Sequence, residues 1–209
     1  MPALPAAVLA RADAGAHDEG MTTVLVIVGV VLLLALLGGV AYNSLVTRRN
    51  HVQAAWAQID VQLRRRHDLV PNLVETVKGY ATHERETLEA VTSARTAAVA
   101  AASGGAEAQA QAENALSQAL FELRAVAEAY PDLKADAGFA RLQQELSDAE
   151  NRIAIARQDY NAEVRAYDTK RQSVPTNLFA GGFPAYEYFE ADPDSRTPVQ
   201  VSFSDADDI

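Results

Sequence analysis

Cysteine is absent from the chain. Its absence removes disulfide staples, thiolate metal sites, a lipidated-cysteine anchor and a cysteine nucleophile, and leaves the redox compartment open. A basic surplus is missing too: the formal charge is −10, whereas a nucleic-acid binder carries a basic footprint, so nucleic acid is not an expected partner. Glycine and proline are missing between Ala41 and Val70, which lets one helix run through that stretch without a break. No segment before Pro175 has the alternation of a strand.

What is present begins with TTVLVIVGVVLLLALLGGVA, Thr22 to Ala41, twenty residues without a charge. At roughly 1.5 Å per residue such a helix matches a hydrocarbon core of about 30 Å. Gly39 and Ala41 would suit a signal-peptide cleavage site, but the run exceeds the usual ~7–15 residues and no positive cluster precedes it, so a retained anchor is expected. Arg48 and Arg49 follow the span closely while the preceding HDEG flank is acidic. By the positive-inside rule the N-terminus lies outside and the main domain in the cytoplasm, with both arginines reaching the membrane interface. Met21, directly before the span, is an alternative start. From Glu187 onward seven carboxylates face the single Arg196 among prolines and serines, the composition of a disordered tail.

Between the span and Pro175 the apolar residues keep helical spacing. Val52, Trp56, Ile59 and Leu63 step by 4, 3 and 4, a stripe of bundle type. Past Pro71 the register continues through Leu73, Val77, Tyr80, Glu84, Leu88, Val91 and Arg95 to a stop at Gly104 and Gly105. A second helix carries Leu116, Leu120, Leu123, Ala127 and Tyr130, and a third runs from Phe139 to Tyr167 in alternating steps of 3 and 4. Antiparallel helices with short connections form bundles.

Pro71 is the odd residue, because a proline inside a helix removes a hydrogen bond and clashes one turn back, at about 3 kcal/mol. Were the helix straight and the later helices packed only beyond the proline, the stripe at 52–63 would stay wet, although burying each such side chain is worth roughly 1.5–3 kcal/mol. Either the chain turns at Asp68–Pro71 and folds the stripe back as a fourth helix, or it only kinks and the stripe pairs with other copies.

The phrases DVQLRRRHDLVPNLVETVKGYA and AYPDLKADAGFARLQQELSDAENRIAIARQDYNAEVRAYDTKRQSVPTNLFAGGF closely resemble the LemA family of membrane-anchored bacterial proteins, over Tyr42 to about Phe189. The resemblance implies an all-α fold, an N-terminal transmembrane helix followed by an antiparallel four-helix bundle, and it favours the fold-back at Pro71. It implies no catalytic residues. Relatives include a protein of magnetosome membrane formation, and members are associated with an HtpX-type membrane metalloprotease or TPM-domain partners. His67 and Asp168 stand where the family pattern has tyrosine and asparagine. The expected organisation is a disordered leader over 1–21, the span over 22–41, the bundle over 42–175, an apolar capping segment over 176–190 and an acidic disordered tail over 191–209.

Chemistry is sparse. His83 and Glu84 open the string HERET, which lacks the second histidine of a zinc-protease helix, and His17, His51 and His67 are scattered. The charges at Glu145, Asp148, Glu150, Arg152 and Arg157 read as a solvated helix face. Arg64, Arg65 and Arg66 read as a solvated face or protein contact, too far from the span for lipid. Glu84 and Arg95 fall on the apolar stripe, where a charge needs a partner, so Arg95 is expected to pair with an acid of a neighbouring helix. PTNLFAGGFPAYEYF, from Pro175, is expected to lay Leu178, Phe179 and Phe183 over the end of the bundle, or to dock a partner.

With no converging acid, base, nucleophile or metal set, the expected function is a non-enzymatic, membrane-anchored scaffold or adaptor needing no cofactor. It would assemble with itself or with a membrane protein. The resemblance supplies the alternative, a regulator or partner of a membrane metalloprotease in the envelope stress response. A carboxylate enzyme inside the bundle would need a Glu-x-x-His pair, which the sequence lacks.

Overall fold

A computed structural model of the chain describes residues 6–190, with side chains from Met21 on. The described residues are mostly helical, with no strand among them. Five α-helices follow one another: α1 (Ala6–Tyr80), α2 (Arg85–Ala100), α3 (Ala106–Ala127), the short α4 (Pro131–Ala135) and α5 (Ala137–Gln172). Single 3-10 turns lie at Ala101–Ser103 and Thr176–Gly182. The leader expected as disordered is helical from Ala6, and the acidic tail at 191–209 lies outside the described residues.

The described residues form two units, 6–49 with Thr169–Pro184, and Asn50–Asp168 with 185–190. In the first unit, α1 carries an apolar, membrane-length window with little burial. Its large side chains from Val24 to Val40 are 48–66% exposed. An apolar surface of that extent is not left in water, and a helix bare on every face matches lipid surroundings.

The second unit is the bundle. Its four long helices are the 50–80 part of α1, then α2, α3 and the part of α5 up to Asp168. Helix α1 continues through Pro71, which corrects the fold-back. The stripe at 52–63 is nonetheless buried inside the single chain, with Val52, Ile59 and Leu63 at most 1% exposed. The other helices cover both sides of the proline, for α5 has 36 residues, about 54 Å at 1.5 Å per residue. Trp56 meets Tyr160 of α5 at 5.2 Å between ring centroids, and His51 Nδ1 lies 3.7 Å from Glu163 of the same helix. No second copy is required to cover this stripe.

From Val70 on, the core gathers Val70, Leu73 and Val77 of α1, Leu88 and Val91 of α2, Leu116, Leu120 and Leu123 of α3, and Phe139 and Leu146 of α5. Local chemistry sets the helix ends. Asp136 caps α5, its Oδ1 accepting from the Phe139 N–H at 2.8 Å; that bond leads the influences holding its carboxyl below the usual range. Pro131 opens α4, where its missing N–H costs little. Gly105 precedes α3 at φ +91°, a conformation that a side chain would strain. A Cβ there would also lie 3.0 Å from Glu187 Oε2.

Candidate functional site

Extending the α1 stripe by the same steps, Ile59, Leu63, Arg66, Val70, Leu73 and Val77, places an arginine in the core row. On α3, Glu113 falls in the row of Leu116, Leu120 and Leu123. Both are buried, Arg66 at 3% and Glu113 at 2% exposed, with His67 and Gln109 beside them in the buried set. Arg66 sits in the run that sequence alone assigned to a solvated face or a protein contact. The structure brings it together with α3 because an unpaired buried charge is costly, and the two helices supply opposite signs at one level.

Both carboxylate oxygens of Glu113 are engaged. Arg66 Nη2 donates to Oε2 and also to the Glu113 carbonyl at 3.2 Å, while Nη1 donates to Ser117 Oγ at 2.9 Å. His67 Nε2 lies 2.8 Å from Oε1. Burial alone would raise the Glu113 pKa, but the His67 hydrogen bond and the Arg66 charge together hold it below the usual carboxylate range. An ionised carboxylate only accepts, so Nε2 of His67 carries the proton of that bond. Arg157 of α5 adds a further cation, its guanidinium 4.7 Å from the Phe189 ring centroid. Burial, followed by the positive field of Arg66, lowers its pKa, and Glu113 opposes that shift.

One turn along α1, Pro71 has no N–H for the carbonyl four residues back, that of His67. Arg95 of α2 takes its place, with Nε donating to the His67 carbonyl at 2.7 Å. The partner expected for Arg95, an acid on a neighbouring helix, is thus replaced by the backbone group that the proline leaves open. Side chain and main chain of His67 are therefore read by two different helices, Glu113 of α3 and Arg95 of α2. Glu84, the other charge on the stripe, accepts from the Tyr130 hydroxyl at 3.0 Å, closing the far end of the bundle.

A second polar constellation ties down the segment Ala185–Glu190. Asn161 of α5 holds both main-chain groups of Phe189, donating from Nδ2 to its carbonyl at 3.0 Å and accepting its N–H at 2.9 Å. The Phe189 ring is buried against Trp56, at 5.9 Å between centroids. Tyr160 donates to the Glu187 carbonyl at 2.8 Å, and burial first, then Tyr186 and Glu187, raises its phenol to about 12, so it remains a donor. Glu187 places its carboxylate by the start of α3, where helix N–H groups and dipole favour an anion. A groove of about 480 Å³ remains among Val52, Trp56, Ala102, Ala106, Tyr160 and Tyr186.

In the first unit, Phe183 is buried with its ring 5.5 Å from that of Tyr42, and Phe179 meets Tyr42 at 5.9 Å. Leu178, expected over the bundle end with these two, is 79% exposed instead. Arg48 and Arg49 lie just past the apolar window and are half-buried. Among the described residues no group of three or more His, Asp or Glu side chains gathers in metal-binding fashion.

A membrane-length apolar helix prolonged into a four-helix bundle, pinned by internal charge pairs, defines a class of membrane-associated helical protein. The LemA family profile matches residues 55–203, most of the bundle, and the chain belongs to that family. It is 27% identical to magnetosome protein MamQ 2 of Paramagnetospirillum magneticum, over 87% of this chain and 77% of the relative. It is likewise 27% identical to magnetosome protein MamQ of Magnetospirillum gryphiswaldense, over 76% and 68%. With protein LemA of Metamycoplasma hominis it shares 26% identity over 77% and 74%.

Proposed function

We propose that the chain is a non-enzymatic, membrane-anchored helical scaffold or adaptor that works through protein–protein assembly at the bacterial inner membrane, its bundle on the cytoplasmic side. The observation that carries this reading is α1 itself. One helix supplies both the apolar membrane-length window and the first helix of the bundle. The charged groups of the bundle core support it as well. Glu113 has both oxygens committed and Arg95 is bound to a backbone carbonyl, so these side chains hold helices together. Arg48 and Arg49, next to the window, support the cytoplasmic placement, and the relatives named as magnetosome proteins accord with a role in organising a bacterial structure.

Crosslinking in intact membranes, followed by extraction in detergent and mass measurement, tests this. Adducts with a second copy or with a membrane protein are expected. A strictly monomeric particle with no partner contradicts the proposal, and a membrane metalloprotease of the HtpX type among the adducts turns the adaptor into a regulator of proteolysis.

A further inference from the structure

Of the residues along the apolar window of α1, Gly38 is partly covered. The cover is Phe179, whose ring edge lies 3.6 Å from the point where a Cβ on Gly38 would sit. The 3-10 turn Thr176–Gly182 therefore returns to the window about 4–5 Å inside its end at Ala41, taking 1.5 Å per residue. That depth is the boundary between headgroups and acyl chains, where amphipathic segments settle. Beside Phe179, Leu178 is 79% exposed and Val174 82%, and Tyr42 meets both Phe179 and Phe183 edge-on, as in an interfacial aromatic belt.

Charge follows the same plan. Although the chain is acidic overall, the stretches Tyr42–Arg49 and Thr169–Pro184 contain Arg48, Arg49, Lys170 and Arg171 and no acid. Arg171 lies against the turn, Nε donating to the Phe183 carbonyl at 2.9 Å. Basic groups beside an apolar segment are attracted to anionic lipid and fall to the headgroup level.

We propose that the Thr176–Gly182 turn is a second membrane contact, with Leu178 and Phe179 entering the headgroup–acyl boundary beside the end of the span while the four cations meet anionic headgroups. The inference rests on α1 being a membrane anchor. It gives the chain two points of attachment, one before the bundle and one after it.

A cysteine-free chain allows single labels. Leu178→Cys in the turn, Leu32→Cys in the span and Phe121→Cys on the bundle, where Phe121 is 70% exposed, are each labelled with a nitrobenzoxadiazole dye. The full chain is then placed in bilayer discs of phosphatidylglycerol and phosphatidylcholine. The label at 178 is expected to be protected from aqueous iodide several-fold relative to 121, and to be quenched by nitroxides carried at shallow acyl positions. Iodide quenching at 178 equal to that at 121, with 32 quenched by lipid nitroxide, overturns the proposal and leaves the anchor standing. Loss of lipid quenching at 32 overturns the anchor too. Protection of 178 from both quenchers assigns the turn to protein contact and equally contradicts a lipid contact.

Discussion

Pro71 and Arg95 form a pair at the level of single residues: the proline frees the His67 carbonyl, and the arginine binds it. Arg95→Leu leaves that carbonyl without its charged donor and is expected to lower stability by about 1.5–3 kcal/mol. In a Pro71→Ala background the helix supplies its own N–H, so the same substitution should cost clearly less, which thermal unfolding of the four variants measures. Equal costs in both backgrounds would disprove the pairing. Arg66→Met strands a buried carboxylate and should cost about 3–5 kcal/mol, whereas Arg66→Met with Glu113→Leu should recover much of the loss. Because the Glu113 pKa is lowered on folding, its contribution is complete above the ordinary carboxylate pKa, about 4.3, and is lost as pH falls through the folded value. Glu113→Gln should accordingly flatten the acid limb of a stability–pH curve. Arg95 was visible in the sequence as a charge on the stripe, and its partner follows from counting four residues back from the proline. Arg66 was hidden by its neighbours, since three consecutive arginines look solvated until the stripe is carried three residues past Leu63. Glu113 needed the α3 row extended backwards from Leu116, and His67 and Arg157 had no sequence signal at all, their burial depending on which helices meet.

At the scale of elements the break between α1 and α2 at 81–84 was hidden, because the register from Leu73 to Arg95 reads straight through it, whereas the bundle-forming stripes and the stops at Gly104, Gly105 and Pro175 were legible as local properties. The path at Pro71 was not. Its outcome depends on α2, α3 and α5 flanking α1 on both sides of the proline, so a buried stripe does not require a turn. The end of the chain was legible only as an apolar segment: Phe183 is buried against Tyr42 of the first unit, and Phe189, which sequence gave no reason to single out, is the anchor of the Ala185–Glu190 segment. Trp56, the single tryptophan, lies against Phe189 and reports on it. Phe189→Ala should release the segment, red-shift Trp56 emission and speed proteolysis within Ala185–Glu190, while helical content changes little. Unchanged tryptophan emission would mean that the segment does not depend on Phe189.

For the whole molecule, the consequence is that one uninterrupted helix makes both the membrane-length window and a self-contained bundle. A fold-back at Asp68–Pro71 would give the same helical content and the same family membership with a different connection, so neither of those separates the two. A distance does. Val61, 56% exposed, and Lys78, exposed on the same helix, stand on opposite sides of Pro71. With cysteines at these two positions and a nitroxide on each, double electron–electron resonance on the full chain in detergent should place the Cα atoms about 25 Å apart, at roughly 1.5 Å per residue along one helix. A separation near 10 Å, the spacing of neighbouring antiparallel helices, would contradict it.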